Sequence, residues 1–289
     1  MATGAIVYDV LARSDPRTLS AILAFVKFLP QRDRMNAALQ GLSGSAYDRV
    51  VFEYLARWPD DVRGGPFDHP DWHYAVQVIS LQWAPVHFTV GQARQAYDAS
   101  MAVLENPRSS PRDRAIAAAW VVHLVGDIHQ PLHTATRLVL PRFAMTDRTG
   151  TSGFVRLTPG GAPRTLHDAW DSAADLPGAE ASAVEALVGR LEARELILPA
   201  ALTRWSGDTD TQFRQWWRES YALALSSAYA GDGRKEAAKP DDAPLLSQAY
   251  QDNARRIAER RIRLSGWRAA ESLMMALVMA RPPDLIAAE

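Results

Sequence analysis

The sequence predicts an all-α chain, and three observations carry that expectation. Apolar residues recur at helical spacing over most of the length, proline and glycine clusters separate those runs, and only one short stretch alternates apolar with polar residues. The helical runs are Ala5 to Leu11, Leu19 to Leu29, Tyr47 to Leu55, Gly91 to Leu104, Arg112 to Ile128, Ser182 to Leu198, Gln212 to Tyr229 and Leu245 to Val278. Breaks fall at Arg63 to Pro70, Asn106 to Pro111, Leu138 to Pro163 and Gly231 to Pro244. The alternating stretch is Gly153 to Thr158, so at most a small β-hairpin near 140–166 interrupts the helices. No repeat, low-complexity tract or composition shift divides the chain. Its 289 residues, 47% of them hydrophobic, are enough for one large core, and residues 1–289 are read as a single multi-helix domain.

Composition narrows the chemistry. With no cysteine there is neither a disulfide framework nor a thiolate metal site, so any metal must be held by imidazole and carboxylate. A formal net charge of −1 excludes the broad basic surface of a protein that grips duplex DNA through many phosphates. Local positive charge, which metals supply, is still enough for a phosphate-cleaving enzyme. The N-terminus lacks a basic region before an apolar run, and no stretch approaches 18 uninterrupted apolar residues, so a soluble chain without a membrane partner is expected. Nothing marks an obligate protein partner.

The main signal is the placement of histidine. Four of the seven histidines lie in His123-Leu-Val-Gly-Asp127-Ile-His129-Gln-Pro-Leu-His133 and His167-Asp-Ala-Trp-Asp171. About half of one His-x-x-x-Asp pair is expected by chance, and two occur, both where the pattern reads as helix. Residues four apart share a helical face, so His123 with Asp127, and His167 with Asp171, each offer a nitrogen and an oxygen to one ion. That donor set favours zinc over calcium or magnesium, with manganese and iron left open. Pro131 should end or kink the helix at Gln130, which lets His133 turn inward. His129, six residues from His123, faces another side and reads as structural. Thr165-Leu-His-Asp168 is a capping-box-like start that puts His167 in a first turn. Asp60 in Trp58-Pro-Asp-Asp-Val-Arg63 and His73 in Asp71-Trp72-His73-Tyr74 add a carboxylate and an imidazole in loop-like surroundings. Read alone, the first stretch is more often a turn with a helix start and the second more often core packing.

Taken in order, these four motifs resemble the zinc-dependent single-strand nucleases of the S-one and P-one type, relatives of bacterial zinc phospholipase C. Trp217-Arg-Glu-Ser220 and Arg260 to Ala269 extend the similarity over nearly all of the chain beyond about residue 50. The resemblance implies the helical bundle of that family. It also implies one zinc held by Asp60, His73, His123 and Asp127, and a second by His133, His167 and Asp171, with Asp127 and Asp60 the candidate catalytic carboxylates. The family's third zinc, which shares Asp127, uses an N-terminal Trp and a nearby His that this chain lacks. Ala5 to Leu11 looks like the helix directly after that His, so either the gene product extends further, with a secretion signal, or the third ion is absent. A secreted or periplasmic protein is implied by the family. Two further departures are Val76, where the family often has an Asp near the attacking water, and Thr165, where Asn is usual. The Asp-x-Gly-Gly-Asn loop is represented by Asp147-Arg-Thr-Gly150-Thr-Ser.

The implied reaction is hydrolysis of single-stranded DNA or RNA, and of 3′-nucleotides, to 5′-phosphate products by a metal-activated hydroxide attacking phosphorus in line. Arg142, Arg148, Arg156 and Arg164 are candidate phosphate contacts, against the plainer reading of a solvated loop. Tyr74 and Phe143 are candidate base-stacking rings. The arginines from Arg255 to Arg263 read as a solvated or core-covering helix face rather than a nucleic-acid surface. Two other readings stand beside the nuclease: a hydrolase with the same metals and a lipid phosphodiester substrate, and a metal-binding relative with impaired catalysis.

Overall fold

A computed structural model of the chain describes residues 1–80, 89–138, 146–174, 181–193 and 208–280. The helices are α1 (Ala2–Ser14), α2 (Pro16–Val26), α3 (Asp33–Ala38), α4 (Gly44–Asp61), α5 (Ala93–Glu105), α6 (Pro111–Ile128), α7 (Leu166–Asp171), α8 (Ala181–Ala193), α9 (Thr209–Leu223) and α10 (Gln248–Met279). The all-α expectation holds, and most helices fall on the periodic runs. Strands are short: β1 (Val76–Ser80), β2 (Thr89–Val90), β3 (Ala135–Leu138), β4 (Phe154–Val155) and β5 (Arg164–Thr165). The hairpin expected near 140–166 is β4 against β5, antiparallel, with Phe154 opposite Thr165.

Helix α6 is the axis of the bundle. Ser110 caps it by accepting the Asp113 N–H at 3.1 Å and donating to the Asp113 carboxylate at 2.7 Å, and Pro111 supplies a preset first turn. Almost every side chain from Ala115 to Val125 is buried, because α2, α4, α5 and α10 pack around it. The helix ends at Ile128 and a 3₁₀ turn follows at Pro131–Thr134, as the proline requires. Around this axis, Tyr97 of α5 bonds Ser272 of α10 at 2.8 Å, and the Trp58 indole of α4 donates to the Pro30 carbonyl at 2.7 Å.

A second feature had no sequence signal. β1 lies between β2 and β3, antiparallel to the first and parallel to the second, with Gln77 opposite both Thr89 and Ala135. The parallel pairing begins where the Ala75 N–H donates to the His133 carbonyl at 3.1 Å. It therefore fixes the segments ending in His73 and His133 side by side. Trp58-Pro-Asp60 also departs from the turn reading: Pro59 is inside α4 and Asp60 is in that helix's last turn.

Helix α1 reaches α4 through Gly4, where an added Cβ would lie 2.0 Å from the Phe52 carbonyl oxygen and 3.0 Å from Ala56. Gly4→Ala is expected to push α1 off α4 and to cost about 1–3 kcal/mol. Urea unfolding monitored by tryptophan fluorescence checks this, and an unchanged midpoint would refute the close approach.

Candidate metal centre

The candidate ligands come from four separated stretches of chain. His123 and Asp127 stand one turn apart on buried α6, Asp60 lies in the last turn of α4, and His73 ends a 3₁₀ turn at Pro70–His73. His123 Nε2 lies 2.8 Å from His73 Nδ1 and 3.0 Å from Asp127 Oδ2, and His73 Nδ1 lies 3.1 Å from the same oxygen. Asp60 Oδ1 approaches at 3.9 Å from His73 and 4.0 Å from His123. Beside this group, His133 Nε2 is 4.0 Å from Asp171, and His167 Nε2 is 3.5 Å from the same carboxylate. Asp127 lies between the two sets, with Oδ2 3.8 Å from His133 Nδ1. Asp60, His73 and His123, and separately His133, His167 and Asp171, each bring one donor atom apiece within 4.8 Å of one another.

The imidazoles are held as ligands are held. His123 Nδ1 faces the Ala56 carbonyl at 2.8 Å, His133 Nδ1 the His73 carbonyl at 2.7 Å, and His167 Nδ1 the Thr149 carbonyl at 2.9 Å. A carbonyl only accepts, so each Nδ1 carries a proton and each Nε2 is the nitrogen left to face the cluster. The His73 ring meets Trp120 edge-on at 5.4 Å between centroids. Gln130 donates to Asp171 Oδ1 at 2.8 Å and orients that carboxylate. Donor atoms of His73, His123 and Asp127 thus converge within about 3 Å, a spacing that a shared proton or a metal ion would stabilise. The donor set of imidazole and carboxylate without thiolate fits zinc.

The electrostatics carry the same demand. Burial works against charge on His123, but the Asp127 and Asp60 carboxylates outweigh it and lift the imidazole to about 9. Burial likewise opposes ionisation of Asp127, yet His123 and His133 hold it well below the usual carboxylate range. His129 behaves oppositely: burial, then Arg261 and Arg268, drive its pKa well down. It donates from Nδ1 to the Val125 carbonyl at 2.7 Å and accepts from Arg268 at 2.7 Å, a structural role as its spacing predicts.

The cluster opens onto a cavity of about 440 Å³ lined by Asp60, His123, Asp127 and Asp171 together with Thr3 and Ile262. Tyr74 stands next to His73 and donates its hydroxyl to Asp71 at 3.0 Å. Arg148 is exposed and close enough to act electrostatically on Tyr74. Arg164 is engaged by Asp168 at 2.6 Å, and Arg156 by the carbonyls of Gly161 and Pro240. Phe143 and Arg142 lie outside the described residues. Val76 is buried in β1, away from any solvent-facing role. In the arginine-rich helix, Arg261 and Arg268 are buried against Glu219, while Arg256 and Arg260 face outward. Sequence reasoning gave no role to Arg63, which lies 2.6 Å from Asp60 and is largely exposed, or to the three accepting carbonyls.

Among known proteins, residues 27–278 match the model of the family described as S1/P1 nuclease. A search of curated proteins finds no match.

One consequence concerns pH. In the metal-free chain the folded His123 pKa, about 9, lies above its unfolded value, about 6.5. Its contribution to stability is therefore complete below about pH 6.5 and is lost as pH rises through about 9. Chelator-treated protein is expected to show a urea midpoint that falls across that window, with the fall largely removed in His123→Ala. A midpoint rising with pH would contradict the charge balance described.

Proposed function

The chain belongs to the S1/P1 nuclease family, and on that premise we propose that it is a zinc-dependent nuclease that cleaves single-stranded DNA or RNA, and 3′-nucleotides, to 5′-phosphate products. It is a hydrolase of phosphodiester bonds. The observation that carries the zinc reading is the meeting of two ligand sets, Asp60, His73, His123 and His133, His167, Asp171, around a shared Asp127. Asp60, His73, His123 and Asp127 would hold one ion, and His133, His167 and Asp171 a second. When bound, zinc supplies a Lewis acid that activates water near neutral pH and offsets charge gathering on the phosphoryl oxygens.

The chain's own groups do the rest. Asp127 and Asp60 would be the catalytic carboxylates, and Gln130 holds Asp171 by a 2.8 Å hydrogen bond. Arg63, exposed and paired with Asp60, would offer a guanidinium to a phosphate oxygen, and Arg148 a second one on the Tyr74 side. The Tyr74 ring, half-buried beside His73, would stack on an unpaired base. Arg164 is a weaker candidate, since Asp168 already occupies it. Family membership supports a secreted or periplasmic location. Among the described residues no helix is long and apolar enough to cross a membrane.

Purified chain is expected to degrade single-stranded DNA in a chelator-sensitive manner that zinc restores, and Asp127→Ala should lower kcat by at least about 100-fold, because several kcal/mol of charge stabilisation goes with the ions. Cleavage unaffected by chelator would refute the zinc mechanism. Turnover of phosphatidylcholine vesicles with none of DNA or RNA would instead assign a lipid substrate, and bound zinc without turnover of either would mark an inactive relative.

A further inference from the structure

Asp147 lies outside both ligand sets and is fully buried. Directly after it the backbone enters the left-handed region at three successive residues, Arg148, Thr149 and Gly150, with φ of 49°, 61° and 85°. Two of the three carry side chains, so the turn needs outside support to persist. Asp147 supplies it. Its Oδ1 accepts from the Thr136 hydroxyl at 2.9 Å and from the Arg137 N–H at 2.8 Å. Its own N–H donates to the Arg137 carbonyl at 2.8 Å, and its carbonyl accepts from Gly150 and Ser152, each at 3.0 Å. Behind it, Arg137 faces Asp147 Oδ2 at 3.5 Å, pairs with buried Glu236, and lies over the Tyr229 ring at 4.6 Å.

This arrangement has a direction. A carboxylate only accepts, so the Thr136 hydroxyl must donate to Asp147, which leaves its lone pair to accept the Thr149 N–H at 3.0 Å. The opposite face of that peptide pair is the Thr149 carbonyl, the group that takes the His167 Nδ1 proton at 2.9 Å. The His167 N–H also donates to Gly150 at 3.2 Å, and a Cβ on Gly150 would crowd the same nitrogen. We propose that Asp147 is a positioning residue for the second half of the metal centre: through Thr136 and Thr149 it fixes the His167 ring with Nε2 turned toward His133 and Asp171. This role rests on the metal-centre reading, but not on the identity of the substrate.

The test is zinc titration calorimetry on metal-stripped protein, with the unfolding midpoint of each metal-free variant measured alongside. Thr136→Val, which removes the hydroxyl but little volume, and Asp147→Ala should each keep one class of zinc affinity and weaken the other about 10–100-fold. Asp147→Asn retains an oxygen for Thr136 and Arg137 and should restore most of that loss. His167→Ala marks the affected class by abolishing it. Wild-type affinity for both classes in Thr136→Val and Asp147→Ala would overturn the proposal. Equal weakening of both classes with a lowered metal-free midpoint would overturn it too, by revealing a general structural role. If His167→Ala leaves both classes intact, the second metal site itself is wrong and the role of Asp147 falls with it.

Discussion

Bare imidazole nitrogens and carboxylate oxygens that face one another at about 3 Å repel unless positive charge lies between them, and the inner end of this bundle is organised to create such a place. Several neighbouring groups hold the candidate ligands in orientation. The α6 backbone sets His123 and Asp127 one turn apart. Carbonyls of Ala56, His73 and Thr149 take the outward ring protons of His123, His133 and His167. The surrounding packing supplies stiffness that isolated side chains would lack: Gly4 lets α1 press on α4 next to Ala56, and the Trp120 face supports His73.

Much of this was legible in the sequence, and the parts that were share a local cause. Four-residue spacing on a helix places His123 with Asp127 and His167 with Asp171 whatever the rest of the chain does. Pro131 and the Thr165 cap likewise act within a few residues, and both appear where expected. The parallel pairing of β1 with β3 was not legible, because Val76–Ser80 and Ala135–Leu138 are short and carry no alternation, and their pairing is decided by distant partners. The Trp58-Pro59-Asp60 stretch departs from its turn reading for a related reason: proline within a last helical turn loses one backbone bond, whereas local statistics favour a turn. The accepting carbonyls leave no trace in side-chain chemistry at all.

Charge is used in two contrasting ways along α10 and its neighbours. Arg261 and Arg268 are internal braces. They share Glu219, and they also reach His129, one through its carbonyl and the other through its ring. This closes the C-terminal end of α6, just beyond Asp127, with fixed positive charge where the helix dipole is negative. His129 stays neutral there, while His123, six residues earlier, is drawn toward the charged state by carboxylates. Two histidines, one on α6 and one at its C-terminal cap, thus have opposite roles set by their neighbours, a distinction that spacing alone could suggest but not explain.

The most direct test of the central claim is anomalous X-ray scattering at the zinc edge from crystals of the chain grown with zinc. The account predicts one peak among Asp60, His73, His123 and Asp127, and another among His133, His167 and Asp171. A map with no anomalous density at either position, and the histidines bridged instead by protons or water, would contradict it.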